Sequence, residues 1–334
     1  SDLQDNMIES PHGTDERRRV PVYSLYSETR EPTADMLRGL DVLVIDLQDV
    51  GSRIYTFIYT MANCLRAAGR HRVPVVVCDR PNPIGGEAVE GPMLEPGYES
   101  FVGLFPIPMR HGMTIGELAR YFNDRFGLGA DLRVEAMTGW SRAQYFDETG
   151  LPWVMPSPNM PTLDTAIVYP GSVLFEGTML SEGRGTTRPF EYLGAPWIGA
   201  ERLADRMNAM HLPGVRFRPV VFEPTFQKHA RTTCGGCQLH VLDRTAFRPV
   251  LTGAALLSQF RAEEPTRFVW RSPPYEYEHE KMPIDILAGS AALRRQIEAG
   301  VTPSEIAESW EVGVKQFQLE RQAYLLYGEQ SHAG

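Results

Sequence analysis

Apolar residues run almost unbroken through "DVLVIDL" (41–47) and "VPVVVCDRP" (73–81), where Pro81 stops the second run. Short apolar runs of this kind predict strands buried on both faces of a parallel sheet. "VPVYSLY" (20–26) and "DLRVEAM" (131–137) predict two further strands. Between these runs the apolar spacing changes to that of helices. "TADMLRGL" (33–40) carries a Thr cap, "YTFIYTMANCLRAAGR" (55–70) follows, and "TIGELARYFNDRFG" (114–127) has a Thr cap and a Gly stop. Strand alternating with helix predicts βαβ units and an α/β unit built on a mostly parallel sheet.

The rhythm breaks over residues 150–190. "GLPWVMPSPNMPTLDTAIVYPGSVLFEGTMLSEGRGTTRPFE" is rich in Pro, Gly, Ser and Thr, but also in Trp, Phe and Leu. Flexible linkers lack apolar residues at that density, so the stretch predicts long ordered loops packed over a site. Helical and strand spacing then returns. "AERLADRMNAM", "VRFRPVVFEP", "GCQLHVLD" and "TGAALLSQFRAEE" alternate, and "PSEIAESWEVGVKQFQLERQAYLLY" closes the chain as a helix. These patterns divide the chain into residues 1–195 and a smaller, mixed α/β unit over 196–334.

With 334 residues, 43% of them hydrophobic, the chain can bury a large core and support two domains. Its formal net charge of −9 and the lack of a Lys/Arg-rich block argue against nucleic acid as a partner. No apolar run reaches the roughly 20 residues that span a bilayer. Cys64 and Cys78 stand in apolar surroundings and read as buried thiols. "CGGC" (234–237) is a single CxxC, a weak zinc signal, and reads first as a thiol pair, with a disulfide or a metal as alternatives. Location and oligomeric state stay open.

In open parallel sheets, ligands bind beyond the carboxyl ends of the strands. Here those ends are polar. Asp46, Gln48, Asp49 and Arg53 follow the first long strand, and Arg80 and Asn82 follow the second. Glu90, His111 and Glu117 come next, then Asn159, Glu176, Glu182, Arg184 and Arg188 in the Gly-rich loops. No dinucleotide fingerprint, P-loop, nucleophile elbow or H-E-x-x-H motif is present, and the histidines show no metal-ligand spacing. Carboxylates, arginines and amides remain, as in glycosidases, where one carboxyl protonates the leaving oxygen and another group stabilises or attacks the sugar carbon. Structural alternatives stand beside several of these residues. Asp46 and Asp49 could cap the following helix, Arg53 could pair with Asp49 four residues earlier, and Glu117 could serve a helix start.

"DLQDVGSRIYTF", "DRPNPIGG", "VEGP", "FPIPMRHGMTIGELA", "PSPNMPTLDTAIVYPG" and "EGTMLSEGRGTTRPFE" occur in that order. Together they resemble the exo-β-N-acetylmuramidases of the NamZ/YbbC type from about residue 20 to the final "YLLY". The resemblance implies a Rossmann-like domain without a nucleotide, a smaller C-terminal α/β domain and an active cleft between them. It implies release of N-acetylmuramic acid from the non-reducing ends of peptidoglycan fragments without metal or organic cofactor. Muropeptides or the disaccharide of N-acetylmuramic acid and N-acetylglucosamine would be the partners. A non-catalytic muropeptide-binding protein is the alternative. Glu90, Glu182 and His111 become the catalytic candidates. Asp46, Gln48, Asp49, Arg53, Arg80, Asn82, Glu117, Asn159, Glu176, Arg184 and Arg188 become the substrate-binding ones. Charge suggests that Arg184 or Arg188 meets the lactyl carboxylate of muramic acid. Members of the family also carry an N-terminal strand and an "F-G-P-E-H-G" block whose Glu is a candidate acid. The nearest feature here is "ESPHGT", in which Glu9 is not a proper match, so the natural protein is expected to be longer. Attack by water and assistance by the substrate's acetamido oxygen are both open.

Overall fold

The computed structural model describes residues 11–328, so Glu9 lies outside the described residues. A two-stranded antiparallel ribbon comes first, β1 (Gly13–Asp15) with β2 (Val20–Val22). The run "VPVYSLY" therefore contributes a ribbon strand and no strand of the parallel sheet. A short helix α1 (Ala34–Leu37) starts at Thr33, whose side chain accepts from Met36 N–H.

The parallel sheet is built from β3 (Leu43–Ile45), β4 (Val75–Cys78) and β7 (Leu132–Glu135), in the order β3-β4-β7. Helix α2 (Phe57–His71) crosses from β3 to β4, and α3 (Ile115–Arg125) leads to β7. An antiparallel pair, β5 (Glu90–Met93) with β6 (Pro108–Arg110), is inserted between β4 and α3. Val75 and Val77 of β4 are enclosed, but Val76 and Cys78 on its other face are only half-buried, so the strand is not covered on both faces as the apolar run predicts and Cys78 is not the buried thiol expected. Val44 departs from that reading. It is 56% exposed, because among the described residues β3 is an edge strand and one of its faces is open.

Residues 150–190 are more regular than expected. They contain helix α4 (Leu163–Ser172), capped by Thr162, and a 3₁₀ turn over Val173–Gly177. All of α4 except Asp164 is buried. A helix enclosed all round has no polar stripe, so its period is invisible in the sequence. The Pro170-Gly171 pair in the last turn of α4 strengthens the false loop signal.

An antiparallel sheet follows, in the order β8-β10-β9, from β8 (Tyr192–Ala195), β9 (Val215–Phe222) and β10 (Cys234–Val241). Helix α5 (Ala200–Ala209) packs on it. The boundary read at 195/196 falls at the end of β8, which pairs with β10. Helices α6 (Pro249–Glu263), α7 (Pro283–Ala288), α8 (Ala292–Glu298) and α9 (Pro303–Arg321) complete the chain. Helix α6 crosses α4, and α9 returns to lie along β5.

Two cores result. One joins Ile45, Val77, Ile58, Leu65, Leu118 and Phe122 with Phe317 of α9. The other joins α4, the antiparallel sheet and α6 through residues such as Ile167, Leu193, Phe217 and Leu256. The molecule is thus a mixed α/β protein with a parallel sheet and a second domain. No described helix is long and apolar enough to cross a membrane.

Candidate active site

A cleft of about 580 Å³ opens where the β1–β2 ribbon, the start of α2, the loop before α4 and the turn before α7 meet. Its walls are aromatic, with Tyr26, Tyr55, Phe57, Phe101, Tyr169 and Tyr277 among them. Such faces suit the apolar sides of a sugar ring, and polar groups among them can fix its hydroxyls. Of the residues singled out from sequence, Asn159, Glu176 and Arg184 line this cleft.

A chain of charges runs inward from it. Glu176 Oε1 accepts from Arg184 Nη2 at 2.6 Å, and its Oε2 accepts from the Tyr275 hydroxyl at 2.6 Å. Arg184 Nε lies 3.4 Å from Glu182 Oε1, and its guanidinium sits 5.0 Å from the centre of the Phe190 ring. Lys228 Nζ donates to Glu182 Oε2 at 2.8 Å and to the carbonyls of Phe175 and Leu180. Burial works against the Glu182 carboxylate, yet Lys228 and Arg184 hold its pKa below the usual value. Burial likewise opposes the charge on Arg184, and Glu176 and Glu182 more than offset it. The 3₁₀ turn after α4 delivers Glu176, while left-handed glycines at 183 and 185 (φ +77° and +80°) bend "SEGRG" so that Glu182 and Arg184 face it. Glu182 stands behind the cleft wall. Arg188 is half-exposed and lies 3.2 Å from Glu191 Oε2, outside the cleft lining.

Glu276 joins this cleft without having been singled out from sequence. It sits in a two-residue hairpin turn closed by reciprocal 2.9 Å bonds between Tyr275 and Glu278. Glu276 and Tyr277 both take left-handed backbone, φ +48° and +67°. Asn-Gly normally fills such a turn, and a non-glycine residue there costs of order 1 kcal/mol or more. Glu276 Oε2 is buried with no hydrogen-bond partner among the described residues. Burial, reinforced by the Glu176 carboxylate, pushes its pKa up to about 7. With the folded-state pKa raised from an ordinary 4.5, its contribution to stability is full below 4.5 and is lost as pH climbs through about 7. The signal available in the sequence was "PPYEYEHE", an acid between tyrosines beyond a proline pair.

The strand-end residues are placed otherwise. Asp49 Oδ2 accepts from Gly51 N–H at 2.7 Å and lies 3.2 Å from His111 Nε2. His111 is fully enclosed, and its Nδ1 accepts from Met113 N–H, which leaves the Nε2 proton facing Asp49. Neither residue of this pair lines the cleft. Arg53 does not pair with Asp49. Its guanidinium is completely enclosed and donates to the carbonyls of Pro92, Ile107 and Leu287. Burial lowers its pKa to about 10.

Asp46 and Arg80 form a bidentate pair, 2.6 and 2.8 Å, with both side chains about half-exposed, a geometry of small energetic weight. Gln48 donates to the carbonyls of Asp49 and Pro81, and Asn82 spans Met113 and Ile84. Glu117 forms a capping box with Thr114 and bonds Arg142 at 2.7 Å. These side chains organise turns and helix starts.

Glu90 belongs with them. Its Oε1 accepts from Leu251 N–H at 2.8 Å at the start of α6, and burial raises its pKa. It opens onto a separate hollow of about 160 Å³ beside Arg248 and Trp310. An amide oxygen can accept the same bond, so Glu90→Gln is expected to cost about 1 kcal/mol in denaturant unfolding and leave turnover near wild type.

No cluster of three or more His, Cys, Asp or Glu able to hold a metal occurs among the described residues. Cys234 and Cys237 are free thiols on β10, and burial raises them to about 11 and about 12. Three residues apart on a strand, they face opposite sides of the sheet.

Residues 1–164 match the family described as exo-β-N-acetylmuramidase NamZ, N-terminal, and residues 167–327 match its C-terminal counterpart. The chain belongs to the NamZ exo-β-N-acetylmuramidase family. It is 50% identical over 313 residues to the peptidoglycan β-N-acetylmuramidase NamZ of Bacillus subtilis, covering 94% of this chain and 74% of that protein. Two crystal structures of DUF1343 family proteins from Bacteroides fragilis share the fold. One has a TM-score of 0.87 at 36% identity, over 94% of this chain and 82% of the other. The second has a TM-score of 0.76 at 28% identity, over 95% and 82%. The two NamZ profiles meet between residues 164 and 167, at the start of α4.

Proposed function

We infer that this protein is a glycosidase of the NamZ family, an exo-β-N-acetylmuramidase acting on peptidoglycan-derived sugars. The observation that carries the reading is the match of both halves to the family, together with 50% identity to a peptidoglycan β-N-acetylmuramidase. A binding protein without turnover would use a similar cleft, but the muramidase named for the Bacillus subtilis relative favours the enzyme.

The finer reading is a Rossmann-like N-terminal unit, a smaller α/β unit and a cleft shared by both. In it, the tyrosines of the cleft stack on the N-acetylmuramic acid ring, and Asn159 and Glu176 fix its polar groups. Arg184 is committed to Glu176 and Glu182, so its work is to hold the Glu176 carboxylate in place. That leaves it poorly placed to take the lactyl carboxylate. The substrates would be muropeptides or the disaccharide of N-acetylmuramic acid and N-acetylglucosamine.

The test is release of 4-nitrophenol from the β-N-acetylmuramide, run beside the β-N-acetylglucosaminide. Turnover of the muramide alone is expected. Turnover of neither, with saturable binding of N-acetylmuramic acid, would establish a binding protein instead.

A further inference from the structure

A second cleft, about 520 Å³, lies against the first. Phe101, Glu276 and Tyr277 line both, so these three side chains form the partition between them. On the far side stand Arg30, Asn63 and Arg66. Arg30 braces the partition, its guanidinium 4.2 Å from the centre of the Tyr277 ring and 5.3 Å from that of Phe101. Of the partition residues only Glu276 can carry a transferable proton near neutral pH.

An exo-glycosidase needs two adjoining spaces, one for the sugar to be released and one for the group it leaves. The scissile oxygen lies at their junction. A general acid must stand beside that oxygen, whereas a base or nucleophile works from the opposite face of the released sugar, away from the leaving group.

We propose that Glu276 is the general acid of the reaction, standing on the partition between a sugar subsite and a leaving-group subsite and protonating the glycosidic oxygen between them. The role rests on the glycosidase reading above. Glu276 Oε2 is buried and has no hydrogen-bond partner among the described residues, so no such bond has to break for it to reach a substrate oxygen. Both oxygens of Glu176 are occupied, by Arg184 and Tyr275, so Glu176 is held in place. Its carboxylate helps raise the pKa of Glu276. Tyr169 and Tyr275 also interact with it electrostatically, and Arg184, Arg271 and Arg30 pull its pKa down. The strained turn holds the acid where it is needed, as backbone strain often does at reacting centres.

In the step itself, the Glu276 proton passes to the glycosidic oxygen as the bond from the anomeric carbon to that oxygen breaks. The leaving sugar departs as an alcohol. Water supplies hydroxyl to the anomeric carbon, and its remaining proton restores Glu276. The donor then belongs to the C-terminal half of the chain, apart from the Glu that the family resemblance sets in an upstream block.

The experiment compares wild type with Glu276→Gln and Glu276→Asp on two substrates, the natural disaccharide and the 4-nitrophenyl β-N-acetylmuramide. 4-Nitrophenol leaves without a proton, whereas the sugar alcohol does not. Glu276→Gln is expected to lose about 10²–10⁴-fold in kcat on the disaccharide and about tenfold or less on the nitrophenyl substrate. Wild-type kcat/KM on the disaccharide should fall above pH about 7, and the residual activity of Glu276→Gln on it should lack that limb. Glu276→Asp should regain part of the disaccharide rate. Calorimetric binding of N-acetylmuramic acid to each variant checks that the cleft is intact. Equal losses on both substrates by a variant that still binds the sugar, or an unchanged pH limb, would overturn the role alone. A wild type that turns over neither substrate would overturn both the role and the glycosidase reading.

Discussion

Arg184→Met should unfold at markedly lower denaturant concentration than wild type, with a loss of about 3–5 kcal/mol. Arg184 is the cation between two buried acids, 2.6 Å from Glu176 and 3.4 Å from Glu182. Without it Glu182 keeps Lys228, but Glu176 keeps only the Tyr275 hydroxyl. A buried carboxylate without a cation either takes up a proton or opens its surroundings to water. Methionine fills nearly the same volume, so the loss would come from the uncompensated charge and little of it from a cavity. Chemical denaturation at pH 7 measures it. The double variant Arg184→Met with Glu176→Gln should recover a large part of the stability, because the stranded charge is gone, while turnover stays lost. Additive losses in the double variant would show that the pair does not act as a unit.

Gly171→Ala should be nearly as damaging, although it adds one methyl group. A Cβ there would sit 1.9 Å from the Pro249 carbonyl oxygen and 3.2 Å from Gly253 N. Gly253 faces it in turn, with its own Cβ position 2.5 Å from the Gly171 carbonyl oxygen. Helices α4 and α6 therefore touch backbone to backbone at this glycine pair, and neither can yield by turning a side chain. Overpacking of this kind costs about 1–3 kcal/mol where side chains can adjust, and more where backbone must move. The clash also lies five residues before Glu176. Pushing the end of α4 away would disturb the Glu176–Arg184 bond, so kcat should fall with stability. Gly13→Ala, whose Cβ would meet nothing within 4 Å, is the control. Thermal unfolding of both variants separates the cases, and a Gly171→Ala protein as stable as the control would show that the crossing can relax.

The helices with caps were legible because their signals are local. Thr114 with Glu117 three residues on is a capping box in the sequence and in the structure. The β3 and β4 runs were legible as strands because β-branched residues crowd them. Helix α4 was hidden by its uniform burial. The polar strand ends were legible as something special, but their use was not. Whether an acid after a strand reaches a ligand or a backbone N–H depends on which loop folds back over it. Asp49 turned to Gly51, and Glu90 turned to Leu251, 161 residues away. Glu276 escaped for the same reason in reverse. Glu176, whose charge acts on it, lies a hundred residues earlier, and its strained turn has no sequence mark, since Glu-Tyr is an unusual pair for it.

Helix α9 makes the two halves interdependent. Phe317 completes the first core, and Arg321 donates to the carbonyls of Gly86, His111 and Gly112. The last described helix thus supplies both a plug and a set of donors to the domain made before it. The N-terminal half waits unfinished until this helix has been made, and neither half can be exchanged with a relative's unless this helix travels with the core it closes.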